Sequence, residues 1–521
     1  MLFNSVPFIF GFLPIALILF FSLARWSQTL AAGWLTAVSL FFYGWWDYNF
    51  VGLLLASVVF NYVMGFTVAR TMAAGSSRRG RRVLAFAITV NLIVLAYYKY
   101  ANFFLESFSS LVDTRWSIAG LILPLGISFF TFTQIAFLVD VYRRRVTSYH
   151  FVHYALFVTY FPHLIAGPIL HHKDMIEQFT RPCTYRLAGQ NIAVGLTIFS
   201  IGLFKKIVIA DTVAMFSRPA FAAAAQGDAL SFVAAWGGVL AYTFQLYFDF
   251  SGYSDMAIGI SRLFGIHLPL NFNSPYKAES IIDFWRRWHM TLSRFLRDYL
   301  YVPLGGGRQR PARRYANLLI TMLLGGLWHG AGWTFVVWGA LHGIYLVINH
   351  GWRAARRALG HERPSGATWS RHASRAVTFL AVVIGWVFFR STTLEEALRM
   401  LKGMAGLTGF ATPKYFADAV ASIGIIRIMS DLDLPTPTAG VLFVILSILL
   451  AVVWVAPNTQ QLMGAYSCAL DPYPDASARR PPDSLRWRPV PLVAMAVAVL
   501  FSLSLLGLFT ETPSEFLYFQ F

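Results

Sequence analysis

Long apolar stretches separated by short polar segments recur along the whole chain of 521 residues. A helix needs about 20 mostly apolar residues to cross a hydrocarbon core of ~30 Å, and these stretches come close to that length. The alternating short strands typical of membrane β-barrels are not found in the sequence. The pattern therefore predicts an all-α polytopic membrane protein with about eleven transmembrane helices. The predicted spans are Pro7–Leu23, Leu30–Trp46, Phe50–Ala69, Val83–Tyr98, Ile118–Val139, Asn191–Ile209, Ala229–Phe248, Leu318–Asn349 in two pieces, Ala376–Phe389, Gly440–Val455 and Val490–Leu508.

Two apolar stretches are interrupted in the middle. Residues 151–170 contain two histidines and two prolines and lie between basic segments, so this stretch is predicted to enter the membrane and return on the same side. Residues 318–349 are interrupted by "GGLWHGAG", so a helix break is predicted at His329. Irregular backbone at membrane depth is tolerated only where it is buried in protein or lines a wet cavity. His329 is therefore expected beside a cavity.

Composition supports the membrane assignment and guides the topology. Hydrophobic residues make up 57 % of the chain and charged residues 13 %, about half the share in soluble domains. The net charge of +18 comes largely from short basic loops. This distribution follows the positive-inside rule and does not indicate nucleic-acid binding. The arginines in 78–82, 143–145 and 477–488 predict cytoplasmic loops, with both termini on the outer side of the membrane. With no separate soluble segment, residues 1–521 are predicted to form one membrane-embedded domain.

The segment 280–306 has the clearest helical pattern in the chain. Ser280 and Asp283 match a capping box, and apolar and arginine side chains fall on opposite faces of a helical wheel. This pattern predicts one amphipathic helix at the cytoplasmic interface. His289 falls on the apolar face of this predicted helix. Both a structural and a functional role are possible for it.

Other polar residues in apolar surroundings are candidates for chemistry. Asp249 and Asp255 each cost roughly 2.5–3.5 kcal/mol at the centre of a membrane. A structural role, capping of a broken helix and hydrogen bonding to buried backbone, is favoured for both. His329 is a better functional candidate, because imidazole transfers protons near neutral pH and nearby glycines allow close approach and local conformational freedom. The twelve histidines lack a recognised ligand spacing, and the two cysteines form no CxxC pair, so no metal site is predicted.

Several motifs together resemble the membrane-bound O-acyltransferase family, and most closely its bacterial branch that O-acetylates alginate. The resemblance covers most of residues 1–350. The motifs are "PLGISFFTFTQIAFLVDVYR" (124–143), "FPHLIAGPIL" (161–170), "YFDFSGYSDMAIG" (247–259), "NFNSPY" (271–276), "DFWRRWHMTLSRFLRDYLYVPLGG" (283–306), "GGLWHGAGWTF" (325–335) and "WGALHGIYLVINH" (338–350).

This resemblance implies a fold and a site, with a catalytic core at about 120–350. It also implies a bacterial inner membrane, so that both termini would lie in the periplasm. The helices would form a shell with re-entrant segments around a thin centre, which a cytoplasmic tunnel reaches from one side and an acceptor funnel from the other. His329 matches the family's principal catalytic histidine. His289 matches a second motif position that is Asn in many relatives, and an amide cannot transfer a proton. The substrate- or donor-binding residues are expected to be Trp285, Arg286, Trp328, Asn273 and Tyr276.

The implied activity is transfer of an acyl group, expected to be acetyl, from a cytoplasmic thioester to an exported polysaccharide such as alginate. The donor would be acetyl-CoA or another acyl thioester, used as a substrate and not as a permanently bound cofactor. The expected partners are a periplasmic SGNH-type esterase or transferase, the polysaccharide and membrane lipid, but not nucleic acid. Cellulose and peptidoglycan stay open as acceptors. A precursor transporter is the weaker alternative, because the inverted repeats common in transporters are not found.

Overall fold

The computed structural model describes residues 1–112, 114, 116–146, 150–165, 167–360, 368–421, 423, 440–470, 486–509 and 517. All regular structure in these ranges is helical, which confirms the predicted all-α class. The chain packs as two compact units. The first comprises residues 1–203, 253–270 and 459–510, and the second comprises residues 204–252, 271–458 and 511–521. The prediction of one functional domain stays a prediction.

The N-terminal part of the chain contains helices α1 to α8, which are followed by the long helices α9 and α10. Their bounds are α1 Pro7–Ala24, α2 Gln28–Gly44, α3 Val51–Ala73, α4 Ser77–Val112, α5 Ile127–Tyr142, α6 Phe151–Thr159, α7 Phe161–Leu164, α8 His172–Phe179, α9 Gly189–Gln226 and α10 Phe232–Leu263. The stretch 151–170 thus contains two short helices, and the longer one rises only about 13 Å. The prediction that it re-enters the membrane is compatible with this length.

The helices of the C-terminal part surround the candidate site or follow it. Their bounds are α11 Ile281–Trp285, α12 Met290–Phe295, α13 Pro311–His329, α14 Trp333–Ala358, α15 Thr368–Arg390, α16 Leu394–Met404, α17 Lys414–Ala421, α18 Gly440–Val455, α19 Thr459–Leu462 and α20 Pro491–Leu508. In the described part of the chain, α1, α3, α4, α9, α15 and α20 are long and apolar enough to cross a membrane, and α5 and α18 are shorter apolar helices. The protein is therefore a multi-pass membrane protein.

Most predicted spans coincide with a helix. α18 has the predicted bounds, whereas α5 begins nine residues later than the predicted start, Ile118. The arginine-rich segment 477–488, which guided the topology of the C-terminal part, lies mostly outside the described residues, as does the C-terminal residue itself.

The carboxylates at 249 and 255 do not mark a broken helix, so that part of the prediction is wrong. The predicted hydrogen bond to buried backbone is present at Asp249, whose Oδ2 accepts from the Leu517 amide at 3.0 Å. α10 is continuous through both positions, because each carboxylate has its own partner. Asp249 Oδ1 lies 2.8 Å from Lys206 Nζ, which also lies 2.8 Å from Asp211 Oδ1. Asp255 accepts a hydrogen bond of 2.7 Å from the Thr459 hydroxyl. An ion pair and a hydroxyl thus satisfy these buried acids without disturbing the backbone helix.

The predicted single amphipathic helix at 280–306 is also wrong. The capping interaction is present, since the Ser280 hydroxyl accepts from the Asp283 amide at 3.2 Å, but α11 ends at Trp285. The chain then turns, and α12 begins only after His289, whose φ of 41° lies in the left-handed region. A non-glycine residue rarely adopts this conformation. The break turns His289 away from the path that a continuous helix would give it.

Candidate active site

The helices α13 and α14 form a tightly packed antiparallel pair that ends at His329. An added Cβ at Gly326 would lie less than 3.0 Å from the Phe335 carbonyl oxygen, and one at Gly339 equally close to the Met322 carbonyl oxygen. These glycines therefore allow two backbones to touch, as predicted. At Gly330 an added Cβ would strike the Phe335 ring.

The expected conformational freedom of the motif glycines is not the reason for their presence. Gly330 and Gly332 have φ of −158° and −166°, which is extended backbone open to any residue. An added Cβ at Gly332 would make only ordinary contacts, at 3.6 Å from the Phe335 ring. The helix break predicted at His329 is present, because α13 ends there and α14 begins at Trp333.

His329 lies in an aromatic pocket and is only 4 % exposed. Its ring centroid is 4.9 Å from that of its neighbour Trp328, 5.1 Å from Trp338 of α14 and 5.1 Å from Phe389 of α15. Three aromatic walls from three helices thus exclude bulk water from this imidazole. Electrostatic and proton-transfer interactions are stronger in such an environment than in water.

His289 is fully buried beside this pocket. Its ring packs edge to face against Phe250 at 4.9 Å and lies 6.0 Å from Trp328. Its Nδ1 lies 3.0 Å from the side-chain oxygen of Asn271. The left-handed backbone of His289 and the contact with Asn271 together fix the position of the ring.

The Asn271 side chain also fixes which nitrogen of His289 carries the proton. Asn271 Oδ1 accepts hydrogen bonds from the Thr291 amide at 3.4 Å and the Thr291 hydroxyl at 3.0 Å. Since a backbone amide requires an acceptor, the atom facing His289 is the oxygen, and Nδ1 must be the donor. Nε2 then carries the lone pair. His289 lies outside the predicted spans, and burial lowers its pKa to about 3, which keeps the ring neutral at physiological pH.

The two histidines approach each other across this pocket. Their ring centroids are 6.3 Å apart. A reacting group between the rings can lie about 3 Å from a nitrogen of each, which is the reach that general acid–base catalysis requires. The arrangement suits one imidazole that transfers a proton and another that donates or accepts a hydrogen bond.

The other predicted site residues lie in different places. Trp328 lies beside both histidines, with its ring centroid 6.0 Å from that of His289 and 4.9 Å from that of His329. Trp285 lies further from His329, and its ring centroid is 5.8 Å from that of Trp338. Arg286 is exposed on the turn after α11.

Two predicted binding residues form hydrogen bonds within the protein, and their role in binding stays a prediction. Asn273 accepts a hydrogen bond of 3.0 Å from the Asn458 side chain. The Tyr276 hydroxyl donates to the Thr243 carbonyl at 2.7 Å, and the ring packs on Trp288. The structure does not show either of them in contact with the histidine pair.

The sequence interpretation missed four residues of this region. They are Asn271, Trp338, Phe389 and His342. Asn271 and His342 lie within quoted motifs but carry no signal beyond an amide and a lone histidine. Among the described residues, no group of three His, Cys, Asp or Glu side chains is placed to hold a metal ion.

These features define a class: a helical multi-pass membrane protein with a dry, aromatic-walled histidine pair. The model of the membrane-bound O-acyltransferase family matches residues 17–368. The chain belongs to this family and is an acyltransferase.

Similarity to individual relatives extends over the full length. The chain is 40 % identical to a peptidoglycan O-acetyltransferase of Helicobacter pylori, over 100 % of this chain and 98 % of the relative. It is 39 % identical to a probable alginate O-acetylase of Pseudomonas aeruginosa, over 100 % of both chains. A teichoic acid D-alanyltransferase of Streptococcus thermophilus is 26 % identical, over 65 % of this chain and 90 % of the relative.

Proposed function

We propose that this acyltransferase moves an acetyl group from a cytoplasmic thioester to a hydroxyl of an exported polysaccharide. The observation that carries the proposal is the buried pair His289 and His329, with ring centroids 6.3 Å apart, inside an aromatic pocket. The full-length similarity to proteins named as O-acetylases of cell-envelope polymers supports the polysaccharide acceptor.

In this proposal His329 is the general base. Its ring takes the proton from the acceptor hydroxyl while the oxygen attacks the thioester carbonyl. The carbon–sulfur bond then breaks, and the same proton passes to the leaving thiolate, so the products are an acetyl ester and a free thiol. His289 orients or polarises the thioester carbonyl, and Trp328 separates the rings from solvent.

Acetyl-CoA is the proposed donor, with a carrier-protein thioester as the alternative. A basic cluster supports a phosphate-bearing donor. Partial burial and then the charges of Arg314, Arg353, Arg286 and Arg357 lower the pKa of His350, which lies beyond the predicted span ending at Asn349.

Two nearby cations, Lys277 and Arg287, have partners in the protein. Lys277 Nζ donates to the Ala456 carbonyl at 2.6 Å, and Arg287 forms an ion pair with Asp283 at 3.0 Å. The proposal therefore places the donor phosphate at the cluster around His350 rather than at these two residues.

Alginate is the proposed acceptor, and peptidoglycan is the second candidate because the Helicobacter relative carries that name. A periplasmic SGNH-type enzyme is the proposed partner of this chain in acetylation of the polymer. The proposed location is the bacterial inner membrane, with both termini in the periplasm. Acetylation of purified alginate and peptidoglycan fragments, compared side by side with and without the partner, distinguishes these acceptors.

The decisive experiment replaces His329 with Ala in purified, detergent-solubilised enzyme. Removing a general base typically lowers the rate by about 10²–10⁴. Release of free thiol from acetyl-CoA in the presence of alginate fragments as acceptor is measured on equal amounts of monodisperse protein. His372→Ala is the matched control, because His372 is an exposed histidine on α15 and is expected to retain full activity. A folded His329→Ala enzyme with near-normal turnover would show that the base is wrongly assigned.

A further inference from the structure

A third histidine, His342, is fully buried on α14 and has no role in the proposed proton transfer. Its ring centroid lies 4.8 Å from that of Trp338 and 5.3 Å from that of Trp285. Among the residues that the structure describes, neither ring nitrogen has a hydrogen-bond partner. Buried polar atoms are nearly always hydrogen-bonded, so two such nitrogens on one ring call for an explanation.

His342 belongs to a row of polar groups on one face of α14. The indole nitrogen of Trp338 and the side-chain oxygen of Asn349 are likewise buried without a hydrogen-bond partner in the described ranges. Trp338, His342, Asn349 and Arg353 are spaced by four, seven and four residues, which places them on one helix face. This row, hereafter the polar row, rises about 22 Å along the helix.

The two ends of the polar row differ in chemistry. Trp338 contacts His329 at one end, with ring centroids 5.1 Å apart. At the other end Arg353 donates to the Ser280 hydroxyl at 3.2 Å and belongs to the basic cluster around His350. Exposure increases towards Arg353, from fully buried Trp338 to half-buried Asn349. A ligand that follows the row would thus have an anionic end, a chain with hydrogen-bonding groups and a reactive end at His329.

We propose that His342 is a donor-binding residue that hydrogen-bonds the amide next to the thioester in a pantetheine arm. This inference rests on the proposed function, since it assumes a thioester donor at His329. A pantetheine arm carries two amides between its thiol and its phosphate, and a neutral imidazole both donates and accepts hydrogen bonds. Trp338 packs against both His329 and His342, so His342 lies next along the row from the reactive end. In this proposal it faces the amide nearest the sulfur. The residue thereby selects donors with this arm over simple thioesters.

The test compares three acetyl thioesters by the thiol that each releases. Acetyl-CoA has the whole arm and its phosphates, the acetyl thioester of N-acetylcysteamine keeps only the first amide, and ethyl thioacetate has no amide. His342→Phe preserves ring packing but removes the hydrogen bonds, and His342→Gln preserves an amide that can form them. We expect His342→Phe to raise KM about tenfold for both amide-bearing donors, whereas His342→Gln raises it less.

The expected signature is a change in preference. His342→Phe should lower the preference for N-acetylcysteamine thioester over ethyl thioacetate about tenfold. His172→Phe is the matched control, because His172 is also a buried histidine packed between Phe137 and Phe157, and it should leave that preference unchanged.

Three results would overturn the inference. One is an equal loss with all three donors in folded His342→Phe, which indicates a structural residue, and another is no change with any donor. The third result is available even if His342→Phe does not fold. If the wild-type enzyme uses N-acetylcysteamine thioester and ethyl thioacetate equally well, the amide makes no contact and His342 cannot provide one. Failure of the wild-type enzyme to release thiol from any donor would instead refute the proposed function.

Discussion

The side-chain oxygen of Asn271 lies 3.0 Å from Nδ1 of His289, eighteen residues further along the chain. The same asparagine accepts two hydrogen bonds from Thr291, and its backbone carbonyl accepts from the Met290 amide at 2.9 Å. One residue thus holds His289 and the first residues of α12 in place. His289 owes its tautomer and its position to this contact rather than to a helix.

Replacing Asn271 with Ala should lower kcat about tenfold or more, because His289 loses the partner that fixes its ring, and a buried hydrogen bond typically contributes about 1 kcal/mol. The measurement is thiol release from acetyl-CoA at saturating donor. Asn273→Ala is the matched control: Asn273 bonds Asn458 instead, so thermal stability should fall while kcat changes less than twofold. Equal kcat losses in the two variants would argue against a specific role for Asn271.

Replacing His289 with Ala should impair activity more than replacing it with Asn. An amide can still hydrogen-bond the thioester carbonyl, whereas a methyl group cannot. If His289 orients the thioester, His289→Asn should retain at least about ten times the activity of His289→Ala, the contribution of one hydrogen bond near a polarised carbonyl. Both rates are measured on monodisperse protein. Equal loss in both variants would indicate that His289 itself transfers a proton.

Gly326→Ala should destabilise the protein, because the new methyl group would overlap the Phe335 carbonyl oxygen and push α14 away from α13. Overpacking of this kind typically costs about 1–3 kcal/mol. The displacement would move His329, so activity should fall with stability. Gly332→Ala, whose Cβ would meet its nearest neighbour at 3.6 Å, should be tolerated. Thermal unfolding followed by fluorescence in detergent compares the two variants.

The proposed topology predicts that the segments before and after α3 lie on opposite sides of the membrane, and that position 310 lies on the cytoplasmic side. After Cys183 and Cys468 are replaced, a cysteine at Tyr48, which is 78 % exposed, should react with an impermeant maleimide added outside spheroplasts. Cysteines at Arg79 and Arg310 should react only after the membrane is permeabilised. Arg79 is a better probe than Gly80, which is buried against Met72. Labelling of position 310 from outside would overturn the proposed orientation.

The sequence alone determines the class of this protein, because membrane helices are encoded locally. Each predicted span depends only on the length and polarity of one stretch, which explains why Gly440–Val455 was predicted with its observed bounds. The helix break at His329 was also readable, since four glycines in eight residues disfavour a continuous helix. The motifs around His289 and His329 sufficed to indicate the family.

Only the tertiary structure decided how the site is assembled. The break at His289 depends on hydrogen bonds from Asn271, and helical periodicity cannot show a partner eighteen residues away. The same limitation applied to Asp249, whose distant partner Lys206 removes any need for a helix break. It also separated Trp328, which packs beside both histidines, from Asn273, which a neighbouring motif made equally plausible. Local pattern fixes which segments are buried, whereas contacts between segments determine which polar groups meet.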